Sequence, residues 1–443
     1  MKNIELKRVL FYTHSPRMFR STLIGHLFFI CQEWPVVLVS EKLDLETENL
    51  LKNKKIFPKL EKVVSVGQFT ATTKKKMFSK NKQLCSLAKK LIKEEEPNIV
   101  VTASDMHSLF EMYLMRFAKR AGAVNVCFQG AVDADSKISE RWVDYINAYT
   151  KFPKVFPLTV RVFLVKIKKY FGHFLYHWVL PLSAGQKPLT GKSSYILRTG
   201  NSGMRDADYE VVFSERDSKV YQNAGVSVRK LRVLPHPLAI KKSRDFFEKA
   251  FLNKLKNRKT DERVALLLMP SSRVGFRRKD WSLIPEQEHT GAWFNIIRLV
   301  HDNLPKWKII IKPHPDVDNI QEVKKELEKI SNSIIITDPK ESVDKYLEMA
   351  DIIIDLPRSA STVVFTALLQ CPGKPTAALD FHQEVLGDFY KDFKGVEYIE
   401  NEKKLVEFLK NIPGKSVESG LEYGKITDYG TMDLLREIVK KYD

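Results

Sequence analysis

The residues best suited to bind a phosphate group stand in two short segments in the second half of this 443-residue sequence. The first segment is the Lys-Pro-His-Pro turn at 312–315, which follows the apolar run Ile309–Ile311. The second is Arg-Ser-Ala-Ser-Thr at 358–362, which follows the apolar run Ile352–Ile354. Cations and hydroxyls bind phosphate oxygens, and a helix that begins just after the second segment would add free backbone N–H donors. We therefore predict a phosphate or nucleotide site that contains Lys312, His314, Pro315, Arg358, Ser359, Ser361 and Thr362.

A third group of polar residues follows another apolar run, Val264–Met269. The loop after it, 270–279, is rich in serine and arginine, and the guanidinium fork matches the geometry of phosphate oxygens. In open α/β sheets the carboxyl ends of the strands share one edge, and ligands bind there. We therefore expect this loop to reach the same donor site through Ser271, Ser272, Arg273 and Arg277.

Each of these features also has a purely structural interpretation. Ser and Thr at 359–362 are favoured helix N-caps, the loop at 271–279 could be a solvated basic turn, and a single histidine is more often structural than a ligand. The sequence contains no GxxxxGK[ST] loop and no GxGxxG turn, which argues against a P-loop ATPase and a dinucleotide-binding enzyme. HxH and HExxH spacings are also missing, so we expect no metal and no other cofactor.

Alternating strands and helices are expected to position these residues. Short β-branched apolar runs are typical of parallel strands covered on both faces, and this β-α-β alternation predicts a doubly wound sheet in each half. The predicted strands are Val9–Tyr12, Val36–Val39, Val63–Val66, 97–102, Val124–Phe128, 208–213, Leu231–Leu234, Val264–Met269, Lys308–Ile311, Ile334–Ile336, Ile352–Ile354 and Thr376–Leu379. The predicted helices include Leu23–Gln32, Gln83–Lys93, Leu109–Ala121, Trp293–His301 and Leu434–Lys441.

The length of the chain predicts two domains of about 200 residues each. We place an N-terminal acceptor domain at 1–240 with a basic insertion at about 150–182, a charged linker at 241–262, a donor-binding domain at 263–425 and a final helix at 426–443. The net charge of +19 indicates an anionic partner, although a lysine-rich surface without a role is the plain alternative. Four scattered cysteines with no CxxC pair favour a reducing cytoplasm.

A long segment between Asp144 and Asp206 contains no acidic residue, while Lys and Arg recur through it. Within it, 158–180 combines aromatic residues at helical spacing with cations, a pattern typical of helices that lie on an anionic membrane surface. A basic helix packed on its domain is the alternative. The predicted membrane-binding residues are Arg161, Lys166, Lys168, Lys169, Phe171, Phe174 and Trp178. No apolar run is long enough to span a bilayer and no usual signal peptide is visible, so we expect a cytoplasmic, peripheral membrane protein.

These motifs together resemble a known family. The Lys-Pro-His-Pro turn, the Ser/Thr cluster at 359–362 and the two Rossmann-like halves resemble the bacterial GT-B glycosyltransferases of surface-polysaccharide synthesis. Nearest in pattern are the sialyl- and Kdo-transferases, which use CMP-sugars, and the CDP-glycerol transferases of teichoic acid synthesis. The resemblance implies two Rossmann-like α/β domains facing each other across a cleft. It also implies a nucleotide-sugar donor, held by His314 and Pro315 at its cytidine and phosphate and by Ser359, Ser361 and Thr362 at its phosphate.

The chain also departs from related patterns. The acidic-acidic-Gly motif that supplies the base in sialyltransferases is missing from the first half. UDP-sugar 2-epimerases share the architecture, but their Asp-Ser-Gly-Gly turn is absent where Arg-Ser-Ala-Ser stands at 358–361. The resemblance therefore does not identify the base or the donor.

An inverting transfer needs a general base for the acceptor hydroxyl and stabilisation of the departing nucleotide. We expect the base to follow a strand of the first half. Asp105, after the strand at 97–102, is the first candidate, and His14, after Val9–Tyr12, is the second. Either residue could instead serve as a helix cap or loop residue. Asp133 and Asp135 are further candidates.

The leading hypothesis is a glycosyltransferase that moves a sugar from a nucleotide-activated donor, a CMP-sugar by preference, to a glycan or lipid-linked acceptor in surface-polysaccharide synthesis. An alditol-phosphate transferase that uses CDP-glycerol or CDP-ribitol would need the same donor pocket. A nucleic-acid-binding protein is suggested by the charge alone. We expect no nucleic-acid partner, because no RNA-recognition motif, KH loop or zinc finger is present.

Overall fold

A computed structural model gives the fold of the chain. It describes residues 8–14, 19–43, 45–67, 74–103, 108–129, 160–161, 163–164, 167, 171, 174–187, 206–223, 225–234, 237, 263–269, 286–314, 320–341, 343–355, 363–364, 367, 371, 374–379, 381, 395–412 and 430–440. The chain divides into two units. The first unit comprises 1–133, 166–250 and 426–443, and the second comprises 134–165 and 251–425.

The first unit is built on a seven-stranded parallel sheet with the strand order β3-β2-β1-β4-β5-β6-β7. The interior strand β1 pairs with β2 on one side, where Val9 is the register partner of Val36, and with β4 on the other, where Val9 is the register partner of Ile99. The strands are β1 Val9–Thr13, β2 Val36–Ser40, β3 Leu60–Ser65, β4 Ile99–Thr102, β5 Val124–Phe128, β6 Tyr209–Val212 and β7 Leu231–Val233.

Helices cover both faces of this sheet, which explains why its central strands are continuous apolar runs rather than alternating ones. Leu10 and Tyr12 pack into a core with the helices Lys74–Glu95 and Leu109–Arg120. Phe11 contacts Phe19 instead, with 6.4 Å between the ring centroids. The helices of the unit up to this point are α1 Ile24–Glu33, α2 Leu45–Leu51, α3 Lys74–Glu95, α4 Leu109–Arg120, α5 Leu180–Ser183 and α6 Glu215–Asn223. A π-helical turn at Leu175–Val179 leads into α5.

The last helix of the chain belongs to the first unit, although the second unit precedes it in sequence. This helix, which we number α11, spans Thr431–Val439 and packs against α1. The hydroxyl of Thr431 lies 2.8 Å from Nδ1 of the buried His26, and Arg436 forms an ion pair with Glu33. Residues from both ends of the chain therefore complete the core of the first unit.

The second unit is built on a six-stranded parallel sheet with the order β10-β9-β8-β11-β12-β13. One face packs on the helices α7 and α10, and the other on α9. Its strands are β8 Val264–Met269, β9 Lys308–Pro313, β10 Ile335–Ile336, β11 Ile352–Asp355, β12 Thr376–Leu379 and β13 Val396–Ile399. Its helices are α7 Glu286–Asn303, α8 Ile320–Glu328, α9 Asp344–Met349 and α10 Glu402–Asn411.

The predicted α/β class, with a doubly wound parallel sheet in each half, is confirmed. The elements that were not predicted include the helix α2 and the edge strand β13. Several helices also begin earlier than their apolar periodicity indicated. For example, α3 starts at Lys74, α7 at Glu286 and α11 at Thr431. The additional residues at the start of α7 are mostly polar, so they leave no apolar stripe in the sequence.

Candidate functional site

Each sheet has one point at which the strand order reverses. In the first unit this switch point lies between β1 and β4, and in the second it lies between β8 and β11. Loops leave the carboxyl ends of the two strands there in opposite directions, which opens a crevice where ligands of open α/β sheets bind. The carboxyl edge at the switch point is therefore the candidate site in each unit.

The second unit brings three strand ends into line at its switch point. Leu268 of β8 is the register partner of Lys312 on β9 and also of Asp355 on β11. The turn after β9 is fixed to β8 because the backbone N–H of His314 donates to the carbonyl of Met269 at 2.9 Å. Segments predicted to bind the donor phosphate follow each of these three strands. The sheet thus starts all three segments from one edge.

The ammonium group of Lys312 is already used within the turn. Its side chain is buried, and its Nζ donates to the carbonyls of Pro313 and Pro339, each at 2.9 Å. These two bonds connect the end of β9 with the loop after β10. A buried ammonium with such partners holds backbone in place, so the contacts give Lys312 a positioning role at the edge of the predicted site.

His314 is half-buried directly after β9, at the position from which a side chain can reach a ligand at the carboxyl edge. Most of the other predicted donor residues lie outside the described residues, so their roles remain predictions. These are Ser271, Ser272, Arg273, Arg277, Pro315, Arg358, Ser359, Ser361 and Thr362. Val363, Val364 and Ala367 are helical, as expected for a helix that follows the Ser/Thr cluster.

Two residues at the same edge were not predicted as part of the site. Asp355 is the last residue of β11 and is buried, in line with Lys312 across the intervening β8. Thr337 follows β10, its backbone N–H donates to the carbonyl of Ile311, and its buried hydroxyl has no hydrogen-bond partner among the described residues. The sequence signal for both is a polar residue directly after a short apolar strand.

The switch point of the first unit contains a buried hydrogen-bond cluster. The hydroxyl of Tyr12 donates to Oε1 of Glu41 at 2.5 Å and lies 2.7 Å from Oγ of Ser108. Ser108 also caps α4, since its Oγ accepts from the backbone N–H of Glu111 at 3.1 Å. Burial, followed by the charges of Glu111 and Glu41, holds the pKa of Tyr12 well above its ordinary value. Tyr12 therefore remains a neutral donor and connects the ends of β1 and β2 with the start of α4.

His14 lies next to this cluster. It is half-buried after β1, and the backbone N–H of Glu41 donates to the carbonyl of the preceding residue, Thr13, at 3.1 Å. Burial lowers the pKa of His14 below the ordinary imidazole value, and the negative charge of Glu41 partly offsets that shift. The imidazole is therefore neutral at pH 7, which is the form that can accept a proton.

Of the candidates for a base, His14 is the one that the structure describes. Asp105, Asp133 and Asp135 lie outside the described residues, so they remain predictions. The sequence did not single out Tyr12, Glu41 or Ser108. Glu41 carried the same signal as His14, because it is a polar residue directly after a buried strand.

Gln129 occupies the corresponding position after β5 and is buried. Its Oε1 accepts from the backbone N–H of Phe213 at 2.8 Å, and its own N–H donates to the carbonyl of Val211 at 2.8 Å. Its Nε2 has no hydrogen-bond partner among the described residues. The first role of this amide is to join the ends of β5 and β6.

A cavity of about 770 Å³ in the first unit lies away from this edge. It is lined by Asn98 and Ala123, which precede β4 and β5, and by three cations, Lys89, Lys93 and Arg120. It therefore opens at the amino ends of the strands, where open α/β sheets do not normally place their ligands.

The predicted membrane-binding residues fall into three groups. Phe171 and Phe174 are exposed, and Trp178 is half-buried with its ring stacked on that of Phe174 at 6.3 Å. Arg161 is 8% exposed, so it does not face solvent as a membrane-binding cation would. Lys166, Lys168 and Lys169 lie outside the described residues.

No group of three or more His, Cys, Asp or Glu side chains among the described residues is arranged to hold a metal ion. Within the same residues, no helix is both long enough and apolar enough to cross a bilayer.

Comparison with solved structures finds the same fold in other proteins. The UDP-N-acetylglucosamine 2-epimerase of Rickettsia bellii matches 99% of this chain and 98% of its own, with 12% identity and a TM-score of 0.54. S. aureus MnaA, solved in a co-structure with UDP, matches 98% of this chain and 97% of its own, with 13% identity and a TM-score of 0.52. A glycosyltransferase from Rickettsia africae ESF-5 matches 99% and 98%, with 13% identity and a TM-score of 0.52.

No protein-family model matches the sequence, and no curated protein does. At 12–13% identity these structural matches describe the fold and not the reaction. Because they cover nearly the whole of each chain, the two-unit α/β architecture as a whole is shared. The chain has the fold that is also found in a UDP-N-acetylglucosamine 2-epimerase and in a glycosyltransferase.

Proposed function

We propose that the chain is a glycosyltransferase that uses a nucleotide-activated sugar. The observation that carries this proposal is the carboxyl edge of the second sheet. Three strand ends are in register there, and each leads into a segment whose cations, hydroxyls or imidazole suit a phosphate. The solved structures with the same fold add support, since one is a glycosyltransferase and another contains UDP.

In this proposal the second unit holds the nucleotide of the donor. His314 contacts the nucleotide, and Ser359, Ser361 and Thr362 donate to its phosphate with Arg358, Arg273 and Arg277. Lys312 positions the turn through its bonds to Pro313 and Pro339. Arginine forks and hydroxyls stabilise the negative charge that grows on the departing phosphate, so the proposal requires no metal ion.

In this proposal the first unit supplies the general base. The neutral imidazole of His14 takes the proton of the acceptor hydroxyl while its oxygen forms a bond to the anomeric carbon of the sugar. The bond from that carbon to the phosphate oxygen breaks, and the electron pair leaves with the nucleotide, which inverts the anomeric centre. Glu41, which Tyr12 holds by a 2.5 Å hydrogen bond, stabilises the imidazolium that forms. Asp105 is the alternative base.

In this proposal the nucleobase of the donor is a pyrimidine. The resemblance of the Lys-Pro-His-Pro turn favours a CMP-sugar, whereas the S. aureus structure with the same fold contains UDP. CDP-glycerol or CDP-ribitol, the donors of an alditol-phosphate transferase, would use the same pocket. A binding screen that includes CMP, CDP and UDP therefore separates these donors.

A nucleotide-sugar 2-epimerase is the second candidate, because proteins with that activity share the fold. The sequence argues against it, since Arg-Ser-Ala-Ser stands at 358–361 in place of the Asp-Ser-Gly-Gly turn. An epimerase converts its substrate without an acceptor. Glycosyl transfer releases the nucleotide and needs one.

The proposed acceptor is a glycan or a lipid-linked saccharide of surface-polysaccharide synthesis. A lipid-linked acceptor would bring the enzyme to the cytoplasmic face of an anionic membrane as a peripheral protein. The surplus of positive charge over the whole chain, +19, is consistent with that surface.

Thermal unfolding in the presence of CMP, CDP, UDP or a short oligonucleotide tests the proposal. A nucleotide at about 100 times its Kd stabilises the folded protein by about 2.7 kcal/mol. We expect at least one of the three nucleotides to raise the unfolding temperature and the oligonucleotide to have no effect. Stabilisation by the oligonucleotide alone would overturn the proposal. Conversion of a nucleotide-sugar to its 2-epimer without acceptor would establish the second candidate instead.

A further inference from the structure

Several large apolar side chains are exposed along the segment that contains no acidic residue. Ile167, Phe171 and Phe174 are 47%, 64% and 43% exposed, and Leu182 is 58% exposed. The first three are helical, and in sequence they stand at positions i, i+4 and i+7, the spacing of residues on one side of a helix. We call these four residues the docking face. Clustered apolar side chains in contact with water usually mark a surface that binds something.

The docking face is not the side on which this segment packs. Leu180 and Pro181 are buried, and the carbonyl of Leu180 accepts from Nδ2 of Asn81 on α3 at 2.7 Å. Asn81 is itself held, because its Oδ1 accepts from the hydroxyl of Tyr113 on α4 at 2.7 Å. The segment is thus anchored to the first unit through other residues, while the docking face remains exposed.

The composition of the segment that contains the docking face favours an anionic partner. Residues 145–205 contain no Asp or Glu, while Lys and Arg recur through them. The ring of Trp178 is half-buried and stacks on Phe174, with 18° between the planes. Aromatic side chains combined with cations are typical of helices that lie in the headgroup region of a bilayer.

We propose that the docking face inserts into the surface of an anionic lipid bilayer. The apolar side chains enter the boundary between headgroups and acyl chains, and the Lys and Arg residues of the acid-free segment 145–205 attract the anionic lipids. Arg161 is not part of the surface because it is buried. Insertion into a bilayer depends on exposed apolar side chains and on charge, so it does not require the proposed transfer reaction.

Sedimentation with lipid vesicles tests the inference on the full chain without any nucleotide. The probes are vesicles of phosphatidylglycerol and phosphatidylcholine in equal parts, and vesicles of phosphatidylcholine alone. The test variant combines Ile167→Ser with Phe171→Ser. The matched control combines Leu45→Ser with Val228→Ser, since these side chains are 71% and 64% exposed elsewhere in the first unit. Circular dichroism and the unfolding temperature check that both variants are folded.

We expect the unchanged protein and the control to bind the anionic vesicles, more weakly at high salt, and to bind neutral vesicles poorly. The test variant is expected to bind at least about tenfold more weakly, because two large apolar side chains no longer enter the lipid. Equal binding by the test variant and the control would overturn the inference. The inference would also be overturned if the unchanged protein did not bind vesicles but associated with itself, and the test variant abolished that self-association.

Discussion

At the scale of single residues, His14 is the described residue best suited to accept a proton. Burial lowers its pKa and the charge of Glu41 raises it, so burial has the larger effect. An imidazole whose pKa is below its ordinary value is neutral at pH 7 and becomes protonated only as the pH falls further. If His14 is the base, kcat/KM is therefore constant near neutral pH and falls on the acid side as the imidazole takes up a proton.

Glu41→Gln tests this pairing. Removal of the negative charge removes an effect that raises the pKa of His14, so the acid fall in kcat/KM is expected to move to lower pH. The matched control is Glu61→Gln, an exposed carboxylate on β3 of the same sheet, which should leave the profile unchanged. His14→Gln should reduce kcat by about 10²–10⁴-fold, the range for loss of a general base. Full activity in the His14→Gln variant would show that His14 is not the general base and would leave Asp105 as the candidate.

Tyr12→Phe tests the buried cluster through stability. The substitution leaves Glu41 and Ser108 without the hydroxyl that they share, and we expect it to lower the free energy of unfolding by about 1–3 kcal/mol. Tyr346→Phe is the control, because the hydroxyl of Tyr346 donates to a glutamate at the surface, where such a bond contributes about 0–1 kcal/mol. Urea unfolding measures both values. Equal losses in the two variants would mean that the cluster at Tyr12 has no special role.

At the scale of elements, the sequence predicted the central strands well because they are short β-branched runs buried on both faces. It did not predict α2, whose sequence Leu-Glu-Thr-Glu-Asn-Leu-Leu lacks a clear apolar period, or β13, a short edge strand with a glutamate inside. The strand ends were sufficient to locate His14, Lys312 and His314. The contacts of Tyr12 with Glu41 and of Lys312 with Pro339 connect residues far apart in sequence, so no local pattern could indicate them.

The helix α11 follows the second unit in sequence but packs in the first, and Leu435→Ala tests how much this packing stabilises the protein. Leu435 is fully buried in the first unit, at the far end of the chain from α1. Its truncation leaves a cavity, and we expect a loss of about 2–5 kcal/mol in the free energy of unfolding. Glu437→Ala on the exposed side of the same helix should change it by about 0.5 kcal/mol or less. A mild effect of Leu435→Ala would show that α11 contributes little to that core.

For the whole molecule, we propose that the second unit binds the nucleotide and that the first unit supplies the general base. We also expect transfer without a divalent metal, because arginines and hydroxyls stabilise the leaving phosphate in this proposal. Activity should therefore persist in EDTA. Loss of activity in EDTA and its recovery with magnesium or manganese would show that a metal ion carries part of that charge.

We propose that the carboxyl edge of the second sheet binds the nucleotide, and calorimetric titration with the nucleotide that binds best measures this. We expect His314→Ala and Ser361→Ala each to weaken binding by about 1–3 kcal/mol, the range for hydrogen bonds to charged groups. Lys89→Ala, at the cavity on the amino edge of the first sheet, removes a cation without touching this site and should leave the affinity unchanged. Unchanged affinity in both the His314 and Ser361 variants would show that the nucleotide does not bind at this edge. An equal loss of affinity in the Lys89 variant would show the same.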